Sequence, residues 1–592
     1  MAESFDLERE LAAGAQAPAN AAADAMARPG ADVAAQLDPS AAHLAPKAVG
    51  ALKRAVKTLR AGEPAKASRV ALKALDAAPD AAITNHIMAL CLYDLGRLST
   101  ALHFYERAWK ADPKNPDIYL NLGQTAWKLD MLEAAEKFYR LYMQLAPERT
   151  DAAINLGGVL RDQGKYAESI EILRSAIYAN ENSAFLWNAL GATLLDSGDI
   201  DQAAVFYQEA LRLKPDFARA HHNLAQVYDM AGDAAAAVTH FHQALKAPES
   251  PRDEVTMTHG LSLASLAAGD LETGWDLYTI RLNPLFSGAT LYKIDAPRWD
   301  GADLAQIKGK TLLVIGEQGL GDEVLFLEML SDVIEAVGPE GEVRVACERR
   351  LQPLIKRSFP SAVVGRHRTI AREGREIRAA LELTEDGRVD LWTPMGQPAR
   401  ALRRTTDQFS GAPHFKADPE RVADFAAQLT AIGPGLKAGL LWKSLMMTAK
   451  RLKSFSPFEA WKPVLALDGV TFINLQYGET ADDLARARDE FGVDIRSVEG
   501  LDLKDDLDGV AALCAALDVV MGPMNATTNL AGAVGARTWL LHARPKTWTM
   551  LGETGLPWYA QARSYSGESY RDFDTAIHAM AADLQTLSAK AA

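Results

Sequence analysis

A period of 34 residues runs along the chain from about residue 81 to residue 249, and it constrains the fold more than any other feature of the sequence. Prolines, glycines and alanines each recur in a register of their own: Pro113, Pro147 and Pro215, then Gly123, Gly157 and Gly191, then Ala101, Ala135, Ala203 and Ala237. A fixed period of this length is typical of stacked helix pairs. Small residues let paired helices approach, and proline ends the second helix. We therefore predict an all-α superhelix over residues 47–284, an architecture that usually holds another protein.

Composition sets the class of the remaining chain. The 592 residues allow three or four domains, and residues 1–46, rich in Ala, Pro, Asp and Gly, predict a flexible N-terminal segment. The net charge of −14 argues against general nucleic-acid binding, and no apolar stretch reaches the roughly 18 residues of a membrane span. The N-terminus is too acidic for a secretory signal, and three distant cysteines fit buried thiols. These features predict a cytoplasmic protein.

The period changes in the second half of the chain. Residues 285–308 read as a linker, and beyond them short β-rich runs such as TLLVI, VRVAC, AGLLW and LDVVMG alternate with helical stretches. This alternation predicts parallel sheets, here two doubly wound lobes over residues 309–432 and 433–592. A cleft between the carboxyl ends of both sheets would bind the ligand. We expect the last helix, near 572–588, to cross back and brace the first lobe.

The glycine turn after the first strand, together with the strings around it, decides between the possible α/β folds. The glycine turn GEQGLGDEVLF at residues 316–326 matches neither a dinucleotide fingerprint nor a P-loop. With PRWDG upstream and GLLW, NLQYG, NLAGAVGA and PWY downstream, it resembles proteins that fuse tetratricopeptide repeats to a glycosyltransferase of the two-lobed GT-B fold. The resemblance covers roughly residues 50–575 and extends to heptosyltransferases and protein O-GlcNAc transferases. It implies an inverting, metal-independent transferase that uses a nucleotide-sugar donor and holds no metal.

The candidate general base is Asp322, just after the glycine turn. The resemblance implies that this carboxylate accepts the proton of the acceptor hydroxyl as the oxygen attacks the sugar. A plain helix-start aspartate, stabilised by the helix dipole, is the alternative reading. Glu317 and Glu323 are the other candidates for the base, and each is more often a solvated carboxylate. Gly319 and Gly321 are assigned to donor binding.

Two further groups of residues are assigned to the donor. A basic stretch follows the strand AGLLW and would neutralise the leaving phosphate, although a solvated loop is the alternative: Lys443, Lys450, Arg451 and Lys453. Trp442, at the end of that strand, and Ser444 are assigned to donor binding as well. A loop that opens a helix would present free N–H groups to a phosphate, although simple capping is the alternative: Met524, Asn525, Thr527 and Thr528. Gln476 ends a strand and is expected to face the same cleft and contact the nucleotide base, although capping is the alternative. The loop departs from the heptosyltransferase pattern, because Asn529 stands where a histidine is usual; this argues against an ADP-heptose donor.

Asparagines recur in one slot of the repeats, at Asn121, Asn155 and Asn223. In the O-GlcNAc transferases, asparagines in this slot grip the backbone of the target. A primary amide both donates and accepts, so it binds extended peptide with little sequence preference. The alternative is that these residues tie neighbouring repeats together.

The resemblance points to flagellin glycosyltransferases of polarly flagellated alphaproteobacteria. It implies a CMP-linked nonulosonic acid donor, such as pseudaminic or legionaminic acid, and flagellin Ser or Thr as acceptor. Two alternatives remain: a transferase that uses a UDP- or ADP-sugar on another acceptor, and a repeat scaffold whose transferase half is inactive.

Overall fold

A computed structural model describes residues 41, 43–372, 375–444 and 454–591. The chain divides into two compact units. One runs to Ala220 and also takes residues 372–374, and the other comprises His221–Ala371 and Arg375–Ala592. No helix in these described ranges is both long and apolar enough to cross a membrane.

The described part of the first unit is an array of helix pairs. In chain order these helices are α1 (Pro46–Arg60), α2 (Pro64–Ala77), α3 (Ala82–Asp94), α4 (Leu98–Ala111), α5 (Pro116–Lys128), α6 (Leu132–Leu145), α7 (Thr150–Asp162), α8 (Tyr166–Ala179), α9 (Ala184–Ser197) and α10 (Ile200–Leu213). The predicted array of helix pairs is confirmed.

Small residues permit the close approach inside each pair. A Cβ on Gly123 would lie 2.6 Å from the ring of Tyr139, and one on Gly191 would lie 2.8 Å from the ring of Tyr207. Real Cβ contacts are essentially never this short. The glycine register of the sequence is therefore a row of contact points between helices.

The second unit begins within a helix and continues with three more: α11 (Ala218–Ala231), α12 (Ala234–Ala244), α13 (Pro251–Ala268) and α14 (Leu271–Tyr278). Helix α14 packs into the core of the α/β region, where Trp275 and Tyr278 are buried in one apolar cluster with Leu312 and Phe326. The Trp275 indole also donates to the carbonyl of Arg403 at 2.8 Å. The end of the segment that the sequence assigned to the repeats thus forms part of the α/β core.

The first parallel sheet has the strand order β4-β3-β2-β7, and a small sheet of order β1-β6-β5 accompanies it. The elements of this region are β1 (Leu291–Tyr292), β2 (Thr311–Ile315), α15 (Leu320–Phe326), α16 (Leu330–Val337), β3 (Glu342–Cys347), α17 (Gln352–Ser358), β4 (Val363–Arg366), β5 (Arg368–Arg372), β6 (Arg375–Ala379), β7 (Leu391–Pro394), α18 (Ala399–Leu402) and α19 (Pro419–Ile432). In the register, Val314 of β2 lies between Val345 of β3 and Thr393 of β7.

The second parallel sheet has the order β12-β11-β10-β8-β9. Its elements are β8 (Leu436–Leu440), α20 (Lys462–Leu465), β9 (Val470–Asn474), α21 (Ala481–Phe491), α22 (Leu507–Ala516), β10 (Val519–Pro523), α23 (Ala526–Ala533), β11 (Thr538–Leu541), β12 (Ala562–Tyr565) and α24 (Phe573–Ala591). The central strands β8 and β10 are buried throughout, as expected for parallel strands covered on both faces. Both predicted parallel sheets are confirmed.

The position of the last helix differs from the prediction. The apolar residues Phe573, Ile577, Met580 and Leu584 of α24 share a core with Trp539 and other residues of the second sheet. These residues lie on one face at helical spacing, and that apolar face packs against the second sheet, which belongs to the same lobe as α24. The predicted crossing to the first lobe is therefore wrong.

Candidate active site

A cavity of about 850 Å³ lies at the carboxyl ends of strands from both sheets. The residues that follow β2, β3, β8, β9, β10 and β11 all contribute to its wall, with Gly319, Arg350, Ser444, Tyr477, Met524 and His542 as examples. Asp229 of α11 and Leu263 of α13 line it as well. Ligands of open α/β sheets bind at this edge, and the volume suits a small organic molecule.

Asp322 lies in the first turn of α15 and lines the cavity. One of its carboxylate oxygens, Oδ2, accepts a hydrogen bond from the backbone N–H of Gly319 at 3.0 Å. Burial raises its pKa to about 6, with a further rise from the charges of Glu317 and Glu323 and a partial offset from the Gly319 bond. A carboxylate with this pKa is ionised at neutral pH and a better proton acceptor than an ordinary aspartate.

Glu317, the first alternative base, is buried in an ion pair. Its carboxylate accepts from Arg281 at 2.7 and 2.8 Å and from the N–H of Gly396 at 2.6 Å. Arg281 follows α14, is equally buried, and stacks on the ring of Tyr278. The expectation of a solvated carboxylate is wrong here, because the arginine compensates the burial of the charge.

Glu323, the second alternative, is buried in a network of its own. It accepts from His367 and from the backbone N–H of Glu348, both at 2.9 Å, and from Arg378 at 3.2 Å. Arg378 also donates to the carbonyl of Gln318 at 2.6 Å, a residue with the positive φ of 54°. Both glutamates therefore hold the glycine turn in shape, and Asp322 is the carboxylate of the three that lines the cavity.

The basic stretch after β8 lies only partly within the described residues, since Lys450, Arg451 and Lys453 fall outside them. Lys443 pairs with Asp483 at 2.5 Å, and the indole of the buried Trp442 donates to the same carboxylate at 2.9 Å. Asp483 is thus the part-buried partner of both residues. Ser444 lines the cavity.

Gln476 is buried behind the cavity wall. Its side-chain oxygen accepts from the backbone N–H groups of Trp442 and Lys443 at 3.0 and 2.9 Å, and its amide nitrogen donates to the carbonyl of Tyr477. These bonds fix the ends of β8 and β9 against each other. The structure therefore gives Gln476 the capping role, while the next residue, Tyr477, lines the cavity.

The N-terminus of α23 opens on the cavity. Asn525 caps it, accepting from the N–H groups of Thr527 and Thr528, and Thr528 accepts in return from the N–H of Asn525. Met524, Asn525 and Thr527 line the cavity, whereas the Thr528 hydroxyl is turned to the carbonyl of Pro523. Capping and ligand binding are compatible here, because the capped turn is what points the helix dipole at the cavity.

Asn529 of α23 forms a hydrogen bond to α15, the helix that follows the first strand of the other parallel sheet. Its side-chain nitrogen donates to the carbonyl of Gly321 at 3.0 Å, and a Cβ on Gly321 would lie 3.2 Å from that nitrogen. Gly321 thus allows the first turns of α15 and α23 to meet beside Asp322. Asn529, the residue that departs from the heptosyltransferase pattern, therefore links α23 to α15.

The sequence patterns did not predict three cations that line the cavity: Arg350, Lys504 and Arg544. Arg350 is fixed by bonds to Glu348 and to the carbonyl of Lys504, and Arg544 pairs with Asp229 at 2.5 Å. They lie up to 194 positions apart in the chain, so no local motif joins them. The buried His542 completes this side, and burial lowers its pKa to about 4, which keeps it neutral.

The asparagine series is largely buried. Asn121 is 1% exposed and donates to the Nε2 atom of His86 at 2.7 Å, and Asn155 is 5% exposed. Asn223 is half-buried. The bond between Asn121 and His86 connects neighbouring repeats, which is the alternative that the sequence left open.

Comparison with known proteins identifies both the repeats and the whole chain. Family models described as TPR repeat and tetratricopeptide repeat match residues 90–130, 116–149, 149–182 and 193–232. Protein FlbA of Caulobacter vibrioides is 42% identical to the chain over 539 residues, which is 91% of this chain and 90% of FlbA. The chain belongs to the FlbA family.

Two other relatives match shorter parts of this FlbA-family chain. The peroxisomal targeting signal receptor of Saccharomyces cerevisiae is 30% identical over 125 residues, 19% of this chain and 20% of the receptor. Human protein O-mannosyl-transferase TMTC1 is 29% identical over 223 residues, 31% of this chain and 25% of TMTC1. The match to FlbA, at 91% of the chain, extends over the repeats and both sheets.

Proposed function

We propose that this FlbA-family protein is an inverting protein O-glycosyltransferase with the GT-B fold. It transfers a sugar from a nucleotide-sugar donor to a Ser or Thr hydroxyl of a protein client that its repeats recruit. The donor is a CMP-linked nonulosonic acid, such as pseudaminic or legionaminic acid, and the client is flagellin. One observation carries the proposal: Asp322, with its pKa near 6, lines a cavity that also holds three cations and a helix N-terminus.

The reaction needs one base and one anion site. The client hydroxyl oxygen attacks the anomeric carbon, the bond from that carbon to the phosphate oxygen breaks, and Asp322 takes the hydroxyl proton. The leaving nucleotide carries the negative charge away. Arg350, Lys504, Arg544 and the N-terminus of α23 neutralise that charge, so the step needs no divalent cation. A single displacement inverts the anomeric centre.

The number of cations favours the nonulosonic acid. A CMP-linked nonulosonic acid carries a carboxylate on the sugar in addition to its phosphate, whereas a neutral sugar lacks that carboxylate. Arginine pairs well with carboxylates and phosphates through two parallel hydrogen bonds. Arg350 and Arg544, which both line the cavity, are the residues assigned to these two groups.

The relatives support transfer to a protein. The name of TMTC1, protein O-mannosyl-transferase, describes sugar transfer to proteins, and its match covers about a third of this chain. The resemblance to flagellin glycosyltransferases supports flagellin as the client.

The test is an in vitro transfer reaction. Purified chain, flagellin and CMP-linked pseudaminic or legionaminic acid are incubated, and the intact mass of flagellin is measured. We expect wild type to add the mass of the sugar and Asp322→Asn to lose transfer at least about a hundredfold, the typical contribution of a general base. Binding of flagellin to the variant should be unchanged.

The matched control is Asp482→Asn, an exposed aspartate of α21 outside the cavity wall, which should transfer at the wild-type rate. Transfer from a UDP- or ADP-sugar instead would show that the proposed donor is wrong and that the proposed transfer reaction is right. No transfer by wild type from any of these donors, with flagellin bound, would show a scaffold with an inactive transferase half.

A further inference from the structure

Trp548, in the segment between β11 and β12, lines the cavity and is partly exposed. Its indole packs against four aromatic side chains, with ring centroids 6.1–6.5 Å apart: Trp275, Tyr278, Phe326 and Trp558. Each of these four residues is at most 3% exposed. The aromatic cluster therefore fixes the orientation of the indole, and the exposed part of the indole is the part that borders the cavity.

The indole N–H of Trp548 is a hydrogen-bond donor that a ligand can use. Nine of the eleven tryptophans donate this bond to a protein acceptor: Trp109, Trp127, Trp187, Trp275, Trp299, Trp392, Trp442, Trp461 and Trp558. Within the described part of the chain, Trp539 and Trp548 are the two exceptions, and of these two Trp548 lines the cavity. Tryptophan N–H groups that are withdrawn from water usually have such a partner. The cavity wall thus presents a fixed donor that the described protein groups leave unused.

The cavity wall around this donor is largely apolar. Leu263 of α13 and Leu325 of α15 line the cavity and pack in the same apolar cluster as the four buried rings. The hydroxyls of Thr547 and Thr549 bond to each other at 2.8 Å. A hydroxyl-rich ligand surface against this wall would lose its hydrogen bonds to water without replacement. The wall suits an amide whose carbonyl oxygen accepts from the indole and whose methyl group packs against the leucines.

Trp548 has neighbours at both the proposed general base and the proposed phosphate site. It stacks on Phe326 at 6.3 Å with 24° between the rings, and Phe326 lies one turn of α15 beyond Asp322 on the same face. The next residue, Thr549, donates to the sulfur of Met524 at 3.6 Å, one residue before the cap of α23. The sugar is the part of the donor that joins the attacked carbon to the phosphate. The position of Trp548 therefore matches the sugar and not the nucleobase.

We infer that Trp548 binds an acylamino group of the donor sugar and thereby selects N-acylated deoxy sugars, an inference that rests on the proposed function. The indole N–H donates to the acyl carbonyl oxygen, and the leucines cover the methyl group. Pseudaminic and legionaminic acids carry two acylamino groups and end in a methyl group. N-acetylneuraminic acid carries one acylamino group and ends in a hydroxylated chain. The site prefers the first two sugars, because the additional hydroxyls of the third would lie unpaired against the apolar wall.

Donor binding in the absence of flagellin tests this inference separately from transfer. The probes are CMP, CMP-legionaminic acid and CMP-N-acetylneuraminic acid. The two sugars share their ring configuration, and legionaminic acid has an acylamino group and a methyl group where the other has a hydroxyl and a hydroxymethyl group. Isothermal titration calorimetry of the full chain should give a dissociation constant at least about tenfold lower for CMP-legionaminic acid. Equal constants for the two donors would overturn the inference.

Substitution of Trp548 tests which part of the donor it contacts. Trp548→Ala should weaken the binding of CMP-legionaminic acid about tenfold and leave the binding of CMP unchanged, which also shows that the variant is folded. Trp548→Phe keeps an aromatic face without the N–H and should give an intermediate loss. The control Trp109→Ala removes an indole of the first unit that is outside the cavity wall, and should change neither constant.

Two results would overturn the inference: an equal loss of affinity for CMP in Trp548→Ala, which would assign the residue to the nucleotide, and unchanged affinity for every probe. A wild type that binds none of the three probes would overturn the proposed donor and this inference with it. Selective binding of CMP-legionaminic acid without transfer to flagellin would support the inference and contradict the proposed transfer reaction alone.

Discussion

At the scale of single residues, the glycine turn before α15 separates three carboxylates that look alike in sequence. Glu317 and Glu323 are buried against arginines, whereas the Asp322 side chain accepts a hydrogen bond from the backbone N–H of Gly319. Because no cation neutralises Asp322 within the described residues, its burial raises the pKa to about 6. The environment, and not the residue type, distinguishes Asp322, the proposed base, from the two glutamates.

The pKa of Asp322 predicts a pH profile. Below pH 6 the protonated carboxyl predominates and accepts no proton, so kcat/KM for flagellin modification should fall about tenfold per pH unit there and level off above about pH 7. Initial rates between pH 5 and 8, with flagellin binding measured in parallel, check this. A rate that is constant across the range would remove Asp322 as the base.

The buried pair of Glu317 and Arg281 predicts a large loss of stability on substitution. Glu317→Gln leaves the arginine charge buried without its partner, which should cost about 3–5 kcal/mol. Urea unfolding, followed by the fluorescence of Trp275 and its neighbours, measures the change. Glu209→Gln breaks a solvent-exposed pair with Arg212 and should leave the transition where it is.

At the scale of helices and strands, the packing of each repeat depends on glycine. Gly123→Ala would bring a Cβ within 2.6 Å of the Tyr139 ring, so the free energy of unfolding should fall by about 1–3 kcal/mol. Gly50→Ala is the matched control. No atom lies within 4 Å of its added Cβ, and the substitution should stabilise α1 by about 0.5–1 kcal/mol. Thermal unfolding of both variants tests the contrast; equal effects would contradict it.

Sequence patterns predicted those elements whose signal is local. The 34-residue registers and the apolar runs of β2, β8 and β10 gave helices and strands in the right places. The cations Arg350 and Arg544 and the partner of Glu317 were missed, because chain segments far apart meet only in the folded protein. Helix α24 was misplaced for a related reason: its apolar face shows that it packs, but not on which sheet.

At the scale of the whole molecule, the boundary between the repeats and the α/β region decides which fragments can fold. Trp275, Tyr278 and Arg281 are buried against the first parallel sheet and its glycine turn. A chain that begins at residue 285 loses all three. It also leaves Glu317 as a buried charge without a partner, which is costly. The repeats before residue 221 belong to the other compact unit.

Two truncations separate these contributions. A variant that begins at Asp216, just before α11, should unfold cooperatively in urea and bind CMP, because it keeps the whole second unit and the cavity wall. A variant that begins at Leu285 should lack a cooperative transition.

If flagellin is recruited by the first unit, the Asp216 variant should also modify flagellin more slowly than the full chain at low flagellin concentration. The difference in rate should disappear as the flagellin concentration is raised. Modification at the full rate by the Asp216 variant at low flagellin concentration would show that the second unit binds the client without the first. A cooperative transition in the Leu285 variant would show that α13 and α14 are dispensable for the fold.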